Sequence, residues 1–336
     1  MREPTETTLD AARAGDQDAF EQLIAPYRRE LRVHCYRMLG SLEDAEDILQ
    51  ETFLRAWRKL STFEERATLR AWLYKIATNA ALDLIESQRT RMMPNAAEPL
   101  SPGDPLPQPL PDTYWIEPLP DTLVDDQPSA NPEIRYQAAE SVTLAFLAAL
   151  QRLPGRQRAV LILRDVLGWS AKETADILKM SPTAVNSALQ RARTTIQQTR
   201  PTRPGVSTPD DLIQPLLARY VKAWETADTG QLIALLREDA FMTMPPLPAW
   251  YRGREAIRWF LDSILFMPPM RKPMRLLPTR ANGSPSFAIY QPDDTGVFHP
   301  VALHVLTIED GLIAGIDDFL SFDGRLFARF ELPTSL

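Results

Sequence analysis

Thr183, Asn186, Ser187 and Gln190 fall one to three residues apart and are followed by Arg191 and Arg193. On a helix opened by Ser181 and Pro182, this spacing sets hydroxyls and amides near the N-terminal end and guanidinium groups beyond them. Such groups can reach base edges, while arginines suit phosphates. A second group, Asp44, Asp47, Gln50 and Glu51, carries only acids and an amide; it suits a protein partner, or simply complements the positive end of a helix. A third, Lys75, Asn79 and Asp83 with Arg89 and Arg91 on or near the same side, fits a binding face or a solvated one. In the last third, His304 alternates against Val301, Leu303 and Val305 and reads as core, surface or a base. Asp317-Asp318 reads as acid/base chemistry or a solvated strand end. The histidines His34, His299 and His304 and the lone Cys35 show no metal-ligand spacing, so no metal or cofactor is expected.

The elements that must position these residues follow from caps and apolar periodicity. Between Leu9 and Arg91 there is one proline, Pro26, and two glycines, Gly15 and Gly40, so long helices run uninterrupted. Asp16 caps a helix burying Phe20, Leu23 and Ile24. Ser41 caps the next, with Asp44 three residues on, close to a capping box, and an apolar stripe through Ala45, Ile48, Leu49, Phe53 and Ala56. A further helix starts near Thr68, with Trp72, Leu73, Ile76, Ala77, Ala80, Leu84 and Ile85 on its apolar side. Later, an apolar helix at Val142–Leu150 is closed by Leu153-Pro154-Gly155, and another, Arg156–Leu167, ends at Gly168. Ser170 and Glu173 form a capping box, and Lys179-Met180 turns the chain into the helix at Pro182. Two short helices around a tight turn, with Ala175, Leu178, Val185 and Leu189 inside, spell a helix-turn-helix or a plain packed hairpin.

The 336 residues carry a formal charge of −7, which by itself points away from nucleic acid. The distribution points the other way. Residues 92–132 hold seven acids and no basic residue, whereas residues 151–200 hold nine basic residues against three acids. The acidic segment also holds 11 of the 30 prolines, the composition of an extended tether. Tyr114, Trp115 and Ile116 interrupt it with apolar surface, which predicts docking on a folded part. A second break lies at residues 200–205. The unpaired Cys35 fits a reducing compartment and a buried site. The polar N-terminus lacks signal-peptide blocks, and Val142–Leu150 is about half a bilayer span. A cytoplasmic protein without membrane contact is expected.

The run Asp44-Ala45-Glu46-Asp47-Ile48-Leu49-Gln50-Glu51-Thr52-Phe53 and the run Leu69-Arg70-Ala71-Trp72-Leu73-Tyr74-Lys75-Ile76-Ala77-Thr78-Asn79 resemble region 2 of the extracytoplasmic-function (ECF) sigma factors. Leu153-Pro154-Gly155-Arg156-Gln157-Arg158-Ala159-Val160 and the helix-turn-helix beyond it are similar to that family's region 4. The resemblance covers residues 9–91 and 133–200. It implies two all-α modules, no enzymatic activity, and promoter DNA and core RNA polymerase (the β′ clamp helices and the β flap) as partners. By resemblance, Asp44, Asp47, Gln50 and Glu51 hold core polymerase. Residues 61–91 bind and melt the −10 element, with a base captured in the Ser61–Thr68 loop above Trp72, Lys75, Asn79 and Asp83. Ser181, Thr183, Asn186, Ser187, Gln190, Arg191 and Arg193 read the −35 element. The chain departs from the family's pattern at Lys179, where glycine is usual, and at Asn186 and Ala188, where basic residues are common. The run Val185–Arg193 resembles the subgroup that carries a C-terminal extension.

Residues 206–336 form that extension. Helices at Leu212–Thr226, from Thr229 to Leu236, and at Arg254–Leu265 precede alternating strands at Phe287–Gln291, Val301–Ile308, Leu312–Phe319 and Leu326–Leu332, with Asp310-Gly311 as a hairpin turn. Helices followed by a curved antiparallel sheet make an α+β domain. It resembles the SnoaL-like branch of the NTF2-like cones. Such a cone implies a pocket for a small ligand, with Met242, Met244, Trp250, Tyr251, Trp259, His304 and Asp317 as candidate lining. The resemblance also implies in-cis control of the sigma modules by this domain; nothing in the residues speaks to a separate anti-sigma protein. Two other classes stay open from the residues alone, a one-component ligand-sensing DNA-binding regulator and a cyclase-like enzyme.

Overall fold

A computed structural model describes residues 6–63, 68–88, 90–124, 141–199, 210–268, 271–321 and 324–336. The chain divides into two compact units: one takes residues 1–91 and 116–201, the other residues 92–115 and 202–336.

The first unit is all helix. α1 (Glu6–Arg13) and α2 (Gln17–Ile24) lead into α3 (Arg28–Leu39), α4 (Leu42–Lys59) and α5 (Leu69–Ser87). The caps lie where the sequence places them. Asp16 accepts from Ala19 N at 3.0 Å, Ser41 from Asp44 N at 3.1 Å, and Thr68 from Ala71 N at 3.2 Å. Gly40 ends α3 at φ 73°, the left-handed conformation that glycine reaches without penalty, and a Cβ there would stand 3.0 Å from Gln151 Nε2. α6 (Leu144–Gln151) and α7 (Gly155–Leu161), the latter running on through a π turn at Ile162–Val166, are followed by α8 (Ala171–Leu178) and α9 (Pro182–Thr199). The Ser170/Glu173 capping box forms in full, and Ser181 accepts from Ala184 N at 3.1 Å. Lys179 takes φ 53°, ψ 47° and donates its N–H to Ala175 O. The turn therefore adopts the left-handed geometry without the usual glycine, at a cost of roughly 1 kcal/mol.

The second unit is α+β. α10 (Asp210–Glu225) and α11 (Thr229–Leu235) precede β1 (Leu236–Thr243) and β2 (Trp250–Arg252); α12 (Arg254–Phe260) precedes β3 (Arg275–Ala281), β4 (Ser284–Pro292), β5 (Phe298–Glu309) and β6 (Leu312–Leu320). The strand order is β2-β1-β6-β5-β4-β3. The expected all-antiparallel sheet is corrected here: β1 lies parallel to β6, because β1 enters ahead of the meander and the chain returns to it only at its last strand. The expected strand at 326–332 is also corrected, being helix α13 (Arg325–Arg329). β1, β2 and β3 escape the alternation rule because Pro278 and charged side chains interrupt their apolar pattern. Asp310 and Gly311 both take positive φ, 51° and 74°, in the β5–β6 turn. One sheet face and the helices share a core that includes Tyr220, Trp224, Met242, Phe266, Phe287 and Ile316.

The tether is divided between the units. Met92 pairs with Trp115, its N–H donating to Tyr114 O at 2.8 Å, so the ends of the 92–115 excursion are pinched together. Within the same unit, Leu100 N donates to Trp250 O and Leu110 N to Pro246 O, both at 2.9 Å. The tether, expected to be extended polyproline with docking at Tyr114–Ile116, is also hydrogen-bonded to its unit at Leu100 and Leu110 and carries short 3-10 turns at Pro94–Ala96 and Asp112–Tyr114. Residues 125–132 of the tether, the break at 200–205 and residues 64–67 of the Ser61–Thr68 loop lie outside the described residues.

Candidate nucleic-acid and partner interfaces

α4 sorts its four candidate residues into two pairs. Glu43, Asp47, Gln50 and Leu54 are exposed and spaced four, three and four residues apart, one outward row on a helix. Leu54 is 50% exposed, and the sequence reading missed it because a single apolar residue in a polar face carries no periodic signal. Asp44 and Glu51 are half-buried. Asp44 accepts from Arg91 Nη2 at 2.7 Å, and Glu51 accepts from Arg55 Nε at 2.7 Å. Arg91 is 6% exposed, which corrects its placement on a solvated face.

The capping box expected from Ser41 and Asp44 is completed instead by a residue far along the chain. Glu117 accepts from Leu42 N at 2.9 Å and Glu43 N at 3.4 Å and receives the Ser41 hydroxyl at 3.1 Å. Its own N–H donates to Gly40 O, and its carbonyl accepts from Tyr36 Oη at 2.6 Å. A carboxylate over the first turn meets both the unpaired N–H groups and the positive helix end. Flanking Ile116 and Leu119 are fully buried in this unit. Tyr114 is half-buried and Trp115 buried within the other unit.

On α5, Trp72, Lys75 and Asn79 are half-buried and Asp83 is exposed. Trp72 packs on Phe63 with ring centroids 5.0 Å apart, Asn79 Nδ2 donates to Lys75 O, and Asp83 stands 3.7 Å from Arg55. Behind them His34 Nε2 meets Thr78 Oγ1 at 2.9 Å. Burial, helped by the charges of Arg37 and Arg70, depresses His34 to about 3, so it is neutral.

On α9, Ser181, Thr183, Asn186, Ser187, Gln190, Arg191 and Arg193 are all exposed, while Val185, Ala188, Leu189 and Ala192 face inward. Arg193 is not left open for a phosphate. Its Nε and Nη2 donate to Asp165 at 2.8 and 2.7 Å, a bidentate pair that sequence spacing could not reveal across 28 residues.

The residues expected to line one pocket divide: Met242, Met244 and Tyr251 share the core, with the Trp259 ring 6.2 Å from that of Tyr251, while Trp250 and Asp317 lie elsewhere. Met244 sits in the core and Trp259 packs at its margin. Trp250 turns to the tether, its indole N–H donating to Ala97 O at 2.9 Å. His304 is buried, with Nδ1 2.8 Å from Tyr220 Oη, Nε2 3.4 Å from Asp318 Oδ1, and the Trp224 ring 4.7 Å away. Asp317, one residue from Asp318, points to the opposite sheet face by strand alternation. There it accepts from Thr243 Oγ1 at 2.7 Å, and burial pushes its carboxyl up to about 7. Both acids lie inside β6 and are buried, which corrects the reading as a solvated strand end.

These elements define a chain of two parts, an all-α unit that contains a helix-turn-helix and an α+β unit. Residues 23–91 match Sigma-70 region 2 and residues 143–196 match Sigma-70, region 4. The ECF RNA polymerase sigma factor SigG of Mycobacterium tuberculosis is 44% identical over 331 residues, covering 96% of this chain and 86% of that protein. SigM of the same organism is 32% identical over 185 residues, covering 55% of this chain and 79% of its own length. The crystal structure of M. tuberculosis ECF sigma factor SigJ shares the fold with a TM-score of 0.60 at 21% identity, covering 93% of this chain and 99% of that one. The chain belongs to the ECF RNA polymerase sigma factors, with region 2, region 4 and a C-terminal α+β domain.

Proposed function

We propose that the outward row of α4, with Asp47, Gln50 and Leu54 at its centre, is the surface that holds core RNA polymerase at its β′ clamp helices. The observation that carries this is the contrast within one helix: Asp44 and Glu51 are tied to Arg91 and Arg55, while Asp47 and Gln50 are presented to solvent around an exposed leucine. Apolar area ringed by polar groups is how protein interfaces concentrate their binding energy. α5, with Trp72, Lys75, Asn79 and Asp83, supports −10 opening, and the exposed residues of α9 read the −35 element in the major groove. The C-terminal cone regulates these steps in cis. It acts as a transcription factor rather than an enzyme, and it works in the cytoplasm; among the described residues no helix is long and apolar enough to cross a membrane.

A pull-down with core polymerase tests the first assignment. Asp47→Ala with Gln50→Ala abolishes retention while leaving duplex −35 binding intact; retention equal to the parent chain refutes it. Removal of residues 206–336 tests the regulation, since unchanged promoter opening and promoter choice would leave the cone without that role.

A further inference from the structure

α1 lies ahead of residues 23–91, the part of the first unit that matches region 2, and the −10 reading gives it no task. It is nevertheless built into the same surface. Leu9 and Ala12 are buried, and α1 packs against α2 and the 3-10 turn Leu60–Thr62. Arg13, the last residue of α1, then donates from Nη2 to Phe63 O at 2.7 Å, across 50 positions of sequence. Phe63 closes the turn. Its N–H donates to Leu60 O at 3.1 Å, and its ring, 6% exposed, lies 5.0 Å from that of Trp72 at an interplanar angle of 40°.

The two ends of the Ser61–Thr68 loop are therefore fixed in different ways. At the far end the Thr68 hydroxyl accepts from Ala71 N, a local cap that α5 supplies for itself. At the near end the Phe63 carbonyl is held from outside, by a cationic donor on another helix. A peptide unit is planar, so a bond to its oxygen sets the direction in which the chain continues. A guanidinium donor makes that bond stronger than a neutral one would. Resting on the −10 assignment of α5 above, we infer that Arg13 is a positioning residue for −10 recognition: it holds the Phe63 carbonyl, and through it the Phe63 ring on Trp72, in the geometry that receives an unstacked base. Capture of such a base offsets its unstacking only when the receiving groups are already in place. Arg13 is poorly disposed to bind a DNA phosphate instead. Its side chain is 28% exposed, its Nη2 is committed to Phe63 O, and Asp10, one turn back, stands 3.6 Å from its Nη1 and offsets its charge.

The test uses holoenzyme assembled from the full chain and purified core. Single-stranded −10 oligonucleotides are first selected from random sequence by the parent holoenzyme, and four are then compared that differ only at the most strongly selected position. Arg13→Ala should weaken binding of the selected oligonucleotide about fivefold, a fraction of what a hydrogen bond to a charged group is worth. The other three should lose little, so the preference for the selected base shrinks by the same factor. Core retention and binding of −35 duplex should match the parent, which shows that the variant is folded. Arg13→Lys keeps a donor of nearly the same reach and should recover most of the loss. Undiminished preference, or an equal loss on all four oligonucleotides, overturns the positioning role. Salt dependence separates positioning from direct contact: the slope should stay unchanged, and a slope shallower by about 0.7, the amount for one single-strand phosphate, would make Arg13 a DNA ligand and overturn the proposal. A parent holoenzyme that selects no base would sink the −10 reading itself, a separate result that takes the proposal with it.

Discussion

Among the described residues, the charged side chains taken out of water in the sigma unit are Arg37, Arg91 and Arg158, and the histidine buried with them is neutral; in the cone they are Asp317 and Asp318. The arginines serve as joints. Each extends hydrogen bonds to groups distant in sequence, and burial leaves Arg37 and Arg158 at about 10, still cationic near neutrality. The cone uses its buried acids differently: Asp318 lies beside His304, and Asp317 lies against Thr243, where loss of solvation raises the Asp317 carboxyl. One chain thus contains two interiors that answer acid in opposite senses.

The hardest blow to that contrast is to remove a joint. Arg158→Met should cost the sigma unit about 3 kcal/mol, since three backbone carbonyls and one side-chain amide oxygen lose a charged donor in a buried site. Hydrogen exchange should show faster opening of α3, α6 and α7 with the cone unchanged; equal loss in both units would mean that they do not unfold separately.

Titration is the next test. His34 has a folded value of about 3 against 6.5 in the unfolded chain, so its contribution is complete above 6.5 and is lost as pH falls toward 3. Asp317 has a folded value of about 7 against 3.8, so its contribution is complete below about 4 and is lost as pH rises toward 7. Each slope is at most about 1.4 kcal/mol per pH unit. Between pH 6.5 and 4 the sigma unit should therefore weaken while the cone strengthens. Asp317→Asn should flatten the cone's profile alone, and a cone that still strengthens in acid would assign the effect elsewhere.

Smaller effects sharpen the picture at the surface. Lys179→Gly should stabilise the helix-turn-helix by about 1 kcal/mol by relieving the left-handed turn, read as slower exchange in α8 and α9 only. Asp165→Asn should release Arg193, raising affinity for −35 duplex about threefold and steepening the salt dependence by up to about one ion. An unchanged salt slope would show that Arg193 never meets a phosphate.

What the sequence made legible was local. Caps at Asp16, Ser41, Thr68, Ser170 and Ser181 sit within three residues of the groups they satisfy, and the apolar stripes of α4 and α5 are periodic, so both could be read directly. The exposed row of α9 was legible for the same reason. What escaped depends on contacts across tens of residues: Glu117 over the first turn of α4, Arg91 on Asp44, Asp165 on Arg193, and Arg158 spanning two modules. The cone shows a second limit. Proximity in sequence made Asp317 a companion of His304, yet strand alternation gives that place to Asp318. β1 and β3 lacked the alternation that betrays a strand, and the parallel β1–β6 pairing has no local signature at all.

The pinch between Met92 and Trp115 has a consequence for reach. Because the two ends of that excursion meet, its 24 residues add nothing to the distance the tether can span while the pinch is closed. Residues 116–140 then carry the reach, and with Ile116–Leu119 released from their site beside α3 and α4 these 25 residues extend to about 80–90 Å at full contour length. That is close to the separation of the two promoter elements, about 25 base pairs at ~3.4 Å per pair, so the closed loop works as reserve cable. Protein with the pinch shut can reach both elements only with its tether nearly taut, and promoters with longer spacers should favour the form that has let the loop out.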